Sequence, residues 1–310
     1  MAEVTHEGPI PRPTPRLNAV TAGQGWVSRK AWPTTRKFIV TKPLGAAGGA
    51  IILVMVLTAV FAEVLAPYDP YTINQRVQFT APSLNHWFGT DEFGRDLFTR
   101  IVYGARVALF IGLTAAFLGA TAGAMLGVVS AYLGGRVDLY LQRLIDVMLA
   151  FPLLILALTI VTVLGRSIPN VVLAIAIPII PRTARIVRSN ALSIKENMYV
   201  EGARALGSSH PGVILRHIIP NVMAPYLIML TAQFGNAILV EASLSFLGLG
   251  TAEPTPSWGL MLSGSALSYA ERAAWVAVFP GLAISLAVFG FNLFGDSIRD
   301  ALDPKLRHRT

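Results

Sequence analysis

The chain has no cysteine, and only 14% of its 310 residues are charged. The first absence removes disulfides, thiolate metal sites and thiol nucleophiles. The second excludes an ordinary soluble domain, in which roughly 25% of residues carry charge. No G-x-x-x-x-G-K-[ST] run is present, so the chain has no phosphate cradle of its own. The five histidines, His6, His86, His210, His217 and His308, form no H-E-x-x-H pair, and no bound metal is expected. Glu63, Asp138, Asp146, Glu241 and Asp296 all lie near the ends of apolar runs. A carrier driven by protons or ions needs ionisable groups at the membrane midplane, and these are scarce.

What remains is apolar: 54% of residues are hydrophobic and the mean hydropathy is +0.58. The apolar residues stand in continuous runs of about 20, the length that crosses a ~30 Å hydrocarbon core. The runs do not alternate, which excludes an outer-membrane barrel. The fold class is therefore an all-α polytopic membrane protein set in a lipid bilayer. Six transmembrane helices are expected, at about Leu44–Leu65, Val107–Leu133, Leu139–Leu164, Ile168–Arg188, Val222–Leu247 and Ala274–Phe294. The formal charge of +8 gathers at helix ends and in certain loops. The positive-inside rule accounts for that pattern, and no nucleic-acid partner is expected.

Residues 1–42 are rich in Pro and basic side chains and predict a disordered basic tail ahead of an uncleaved anchor. Residues 43–106 comprise the first span and a long soluble loop. Leu97, Ile101 and Ala105 form an apolar helical face, read as lying on the membrane surface. The acidic and glycine residues of Gly89–Asp96 invite a Ca²⁺ site, but the D-x-[DN]-x-[DN]-G spacing is missing. Residues 107–296 form a five-helix core, and 297–310 a second tail. Gly112, Gly119, Gly123 and Gly127 space the second span for close helix packing. Pro152, Pro178, Pro181, Pro225 and Pro280 predict kinks.

With the N-terminus inside, only Arg76, Arg95, Arg100, Arg106, Arg166 and Arg272 of the 25 Lys and Arg fall outside. That asymmetry predicts both termini in the cytoplasm and residues 193–220 on the inner face.

That segment reads SIKENMYVEGARALGSSHPGVILRHIIP. Ser193 and Glu196 have capping-box spacing, which predicts a helix starting near Ile194. Met198, Gly202, Ala205 and Leu206 share one face. Gly207 stands where a left-handed C-terminal residue is wanted. Pro211 opens a second short helix, and Pro220 is expected to break it. The result is a helix–turn–helix elbow at a membrane face.

Glu201, Ala203, Gly207, Ile219 and Pro220 resemble the EAA loop of ABC importer permeases. Gly202 replaces the middle Ala of that pattern, and His217 and Ile219 depart from its Ile-x-Leu-Pro end. FGTDEFGRD at Phe88–Asp96 and GDSIRDALDP at Gly295–Pro304 resemble the dipeptide/oligopeptide/nickel branch of the same family. The resemblance implies a type I ABC importer permease fold in the cytoplasmic membrane. It makes Glu201, Gly202, Ala203, Arg204, Gly207, His217 and Pro220 the candidates for coupling to an ATPase. The implied partners are a second permease, two cytoplasmic ATPase subunits and an extracytoplasmic binding protein. ATP and Mg²⁺ would sit on the ATPases, with no catalytic residue and no cofactor on this chain. Gln233, Asn236, Glu241 and Ser243, with Thr159 and Thr162, are the polar residues available to line a pathway. The rival readings are a secondary transporter or channel, and a membrane-anchored scaffold.

Overall fold

In the computed structural model the described residues are 42–263, 269 and 271–302. The basic tail before Lys42 and residues 303–310 of the second tail lie outside them. Among the described residues all the regular structure is helical apart from one isolated bridge between Thr90 and Asp96.

The first helix, α1 (Pro43–Val60), is followed by a short α2 (Ala62–Leu65). The second long helix, α3, spans Leu97–Leu133 and begins ten residues before the predicted boundary. Asp96 caps it, its Oδ2 accepting from the Thr99 N–H at 2.8 Å. The Leu97, Ile101 and Ala105 face therefore does not lie on a membrane surface. Leu97 and Ala105 are buried, and all three pack in a cluster with Ile238, Ala242 and Trp258. At 37 residues, α3 is about 55 Å long and must project beyond a ~30 Å hydrocarbon core.

The predicted third span is broken. Residues Gly135–Ala150 (α4) and Leu153–Leu164 (α5) meet at a 94° bend at Phe151–Pro152. Pro152 cannot donate a backbone hydrogen bond, and Phe151 before it is extended. The next helix, α6 (Ile168–Lys195), outruns its expected end by seven residues. Pro178, Pro181, Pro225 and Pro280 all sit inside continuous helices.

After α6 come α7 (Met198–Ala205) and α8 (His210–Val213), then a π turn at Ile214–Ile218 and α9 (Ile219–Phe246). The chain closes with the short α10 (Trp258–Met261) and α11 (Trp275–Leu302). The first residues of the expected second tail, 297–302, belong to α11. Five helical runs can cross a bilayer by length and composition, or six if the bent α4–α5 pair counts as one. Leu53, Phe110, Met125, Val163, Leu282 and Phe289 lie exposed on their flanks. Such a surface is costly in water and suited to lipid.

The core is set by close approach. A Cβ on Gly119, Gly123 or Gly127 of α3 would fall 2.5 Å from the carbonyl oxygen of Ala176, Ile180 or Ala184 of α6. The stripe therefore lets two backbones touch where side chains would hold them apart. Gly112, expected on the same stripe, faces Ile238 of α9 instead.

The start of α1 and the end of α11 are paired. The ammonium of Lys42 lies 3.1 Å from the Asp300 carboxylate, joining the start of α1 to the end of α11. The end of α1 meets α3 near its start, where Arg106 donates to the Ala59 and Val60 carbonyls. At that far end the loop after α2 folds down. Arg100, buried, donates to the Pro70 carbonyl at 3.0 Å. Asp91 accepts the backbone N–H groups of Phe93 and Arg95 and pairs with the Arg95 side chain, so that carboxylate is already engaged.

Candidate functional site

The elbow does not start at a capping box. The apolar face of α6 continues through Val187 and Ala191, so the helix runs past Ser193, and Glu196 is its C-terminal cap. The Asn197 amide closes that end by donating to the Ser193 and Ile194 carbonyls. Helix α7 then starts at Met198.

Its other end is built as Gly207 predicts. Gly207 has φ +82, the Ser208 N–H bonds the Ala203 carbonyl, and the Gly207 N–H bonds the Arg204 carbonyl. That crossed pair is a Schellman closure, which needs a left-handed residue. Ser209 caps α8 through Gly212, with Pro211 in its first turn. Pro220 does not break the helix that follows. The π turn before it widens the helix, with the Ile219 N–H bonded to the Ile214 carbonyl, and Pro220 enters α9 in its first turn. A five-residue step leaves room for a ring that an α-helical carbonyl would meet.

The elbow shows its apolar face outward. Met198 is 87% exposed and Leu206 89% exposed, while Val200 on the opposite side is fully buried. Glu201, Gly202, Arg204, Gly207 and Pro220 are exposed, and Ala203 and His217 half-buried. Five of the seven elbow candidates are thus open to solvent. Beneath the elbow, Arg204 lies over the Tyr132 ring and His210 bonds the Tyr132 hydroxyl. Tyr132 was missed from sequence; the elbow residues that touch it lie some 60 to 80 positions away.

The pathway candidates do not converge. Gln233 and Glu241 are buried on one face of α9, and Gln233 Oε1 has no hydrogen-bond partner among the described residues. Glu241 Oε1 accepts from Ser245 at 2.8 Å and from Ser257 at 3.0 Å, which holds the segment before α10. Asn236 is exposed and Ser243 half-buried, on another face. Thr159 and Thr162 are exposed and donate back to the carbonyls of their own helix. Among the described residues, no three His, Asp or Glu side chains gather as a metal site.

Five or six apolar helical runs with an exposed apolar face on the elbow define a polytopic helical membrane protein. Residues 119–308 match the family of binding-protein-dependent transport system inner membrane components, and residues 32–82 match the N-terminal transmembrane domain of oligopeptide transport permease C. The chain belongs to that inner membrane component family, the permease subunits of ABC importers. It is 41% identical to the dipeptide transport system permease protein DppC of Alkalihalophilus pseudofirmus over 298 residues, covering 96% of this chain and 97% of that one. It is 46% identical over 259 residues to a putative peptide transport system permease of Brucella suis, covering 82% and 87% of the two chains. It is 46% identical over 257 residues to the glutathione transport system permease protein GsiD of Escherichia coli, covering 83% and 84%. The chain is accordingly a multi-pass inner-membrane permease subunit rather than an enzyme.

Proposed function

We propose that the chain forms half of a pathway through which an ATP-driven importer carries short peptides. The other half is a second permease, two ATPases sit on the cytoplasmic side with this chain's elbow docked in one of them, and a binding protein delivers cargo from outside. The single observation that carries this is the elbow: a Schellman-closed helix with Met198 and Leu206 turned to solvent. Exposed apolar side chains of that size, rimmed by Glu201 and Arg204, are the composition of a docking surface. The names of the relatives supply the peptide class.

In this reading Glu201, Gly202, Ala203, Arg204, Gly207, His217 and Pro220 present the elbow to the ATPase groove. ATP and Mg²⁺ stay on the ATPases. Both termini lie inside with the elbow, in keeping with the Lys42–Asp300 contact and the charge split. Asn236 and Ser243 give the pathway its polar lining, and Gln233 and Glu241 back that wall from within. A nickel chelate is a second cargo class implied by the sequence resemblance alone.

The test is uptake by proteoliposomes that hold the full transporter and its binding protein. Labelled dipeptide should accumulate only with ATP inside the ATPase-facing compartment. Uptake driven by a proton gradient, with the ATPases absent, would make the chain a secondary transporter.

A further inference from the structure

Three cationic or ionisable side chains, one from the end of α6 and two from the elbow, converge on one buried residue. Tyr132, in the last turn of α3, is 3% exposed. Its hydroxyl is hydrogen-bonded to His210 Nδ1 at 2.8 Å. The Arg204 guanidinium carbon lies 4.9 Å from the ring centroid, and Lys195 Nζ lies 5.9 Å from it. Lys195 also donates to the carbonyl oxygens of Ala131 at 3.1 Å and Tyr132 at 2.9 Å. Those carbonyls are among the last four of α3, which have no helical partner. The end of α6, the end of α7 and the start of α8 thus each hold the same side chain. An aromatic face attracts cations through its quadrupole, and the hydroxyl adds one directional bond.

Few other groups join α7 to the bundle. Val200 is buried in an apolar cluster with Val128, Ala131, Val187 and Val213. The Met198 and Leu206 face touches nothing that buries it. Val200 and the cation grip on Tyr132 link α7 to α3, while the Tyr199–His217 ring pair links it to the π turn. Helix α3 is in turn locked to α6 by the glycine stripe.

We propose that Tyr132 is a positioning residue for transport, the point at which a tilt of the elbow becomes a movement of α3. The inference rests on the coupling role given to the elbow above. Tyr132 touches neither cargo nor nucleotide and acts through Arg204, Lys195 and His210.

The experiment measures solute moved per ATP hydrolysed by the assembled transporter in proteoliposomes. Tyr132→Leu keeps an apolar side chain and loses the ring and the hydroxyl. ATPase subunits should co-purify as with wild type and ATP should still be hydrolysed, while solute per ATP falls about fivefold. Tyr132→Phe keeps the ring under Arg204 and should lose only about twofold, the cost of one hydrogen bond shared with His210. His210→Ala should match it, and the double variant should be no worse than either single one. An unchanged ratio in Tyr132→Leu overturns the proposal. If that variant fails to reach the membrane, the Phe and His210 variants decide: unchanged ratios in both overturn it, and a shared, non-additive loss supports it. Leu206→Glu on the outer face of α7 separates the two claims. If it leaves ATPase capture and transport intact, the elbow reading fails. If it abolishes capture while the Tyr132 variants keep the wild-type ratio, only the anchor fails.

Discussion

Arg188 grips Asp138 with both ends of its fork. Nε donates to one carboxylate oxygen at 2.6 Å, Nη2 donates to the other, and Ser130 donates to the first. The pair joins the end of α6 to the start of the bent helix α4, with neither side chain more than about a quarter exposed. Planar two-point pairing of this kind is the strong form of ion pair. Asp138→Ala should lower stability by about 1–2 kcal/mol, read as a lower unfolding temperature in detergent. Arg188→Lys should recover less than half of that loss relative to Arg188→Ala, because an ammonium cannot make the fork.

The glycine stripe gives a test that separates close packing from helix propensity. Gly123→Ala should cost about 1–3 kcal/mol, since its Cβ would press on the Ile180 carbonyl and Thr183 Cβ. Gly281→Ala, within α11 and with no neighbour inside 4 Å, should instead be neutral or stabilising by up to about 1 kcal/mol. Thermal unfolding of both variants in one detergent checks the sign. Equal shifts would mean that the stripe is not a contact.

These contrasts show what a sequence carries. The spacing of Gly119, Gly123 and Gly127 by fours is a local pattern, and it named a packing face without naming α6 as the partner. Gly207 was readable because a helix end needs a left-handed residue and few residues other than glycine take one freely. Ser193 and Glu196 misled because capping-box spacing also occurs inside a helix, and the apolar face of α6 runs on beneath it. The start of α3 carries a local signal: Asp96 stands directly before the Leu97, Ile101, Ala105 period. The 94° bend after α4 is a tertiary property, since Pro152 shows where a helix ends and not how the next one turns. Tyr132 is invisible to any local rule, because every group that grips it arrives through α6 and the elbow.

Orientation can be checked directly because the chain has no native cysteine. Arg76 and Ser208 are both exposed, at opposite ends of the bundle. On intact cells Arg76→Cys should react with a membrane-impermeant thiol reagent, and Ser208→Cys should react only after permeabilisation. The reverse pattern would place the elbow outside and remove the ATPase from the account.

Gly207 closes the elbow helix in a left-handed conformation. Its φ of +82 is a conformation that L side chains rarely adopt, yet nothing lies within 4 Å of where a Cβ would stand. A substitution there meets backbone strain and no steric neighbour. Alanine should therefore cost about 1–2 kcal/mol, a β-branched residue more, and Asn less, because Asn tolerates the left-handed region. That is small against the burial of several long helices in a bilayer, so Gly207→Val should still insert at wild-type levels. The strain relaxes where the chain is free, by undoing the closure between Ser208 and the Ala203 carbonyl. Helix α7 then loses its last turn, and Leu206, Arg204 and Ala203 no longer share one rigid surface. We expect Gly207→Val to give normal membrane levels, weak ATPase capture and transport near background. Gly207→Asn should keep most of both. Pull-down of the ATPase subunits and uptake assays on the same membranes check this. Full transport by Gly207→Val with undiminished capture would show that the closure is dispensable, and that the elbow couples through α8 and the π turn instead.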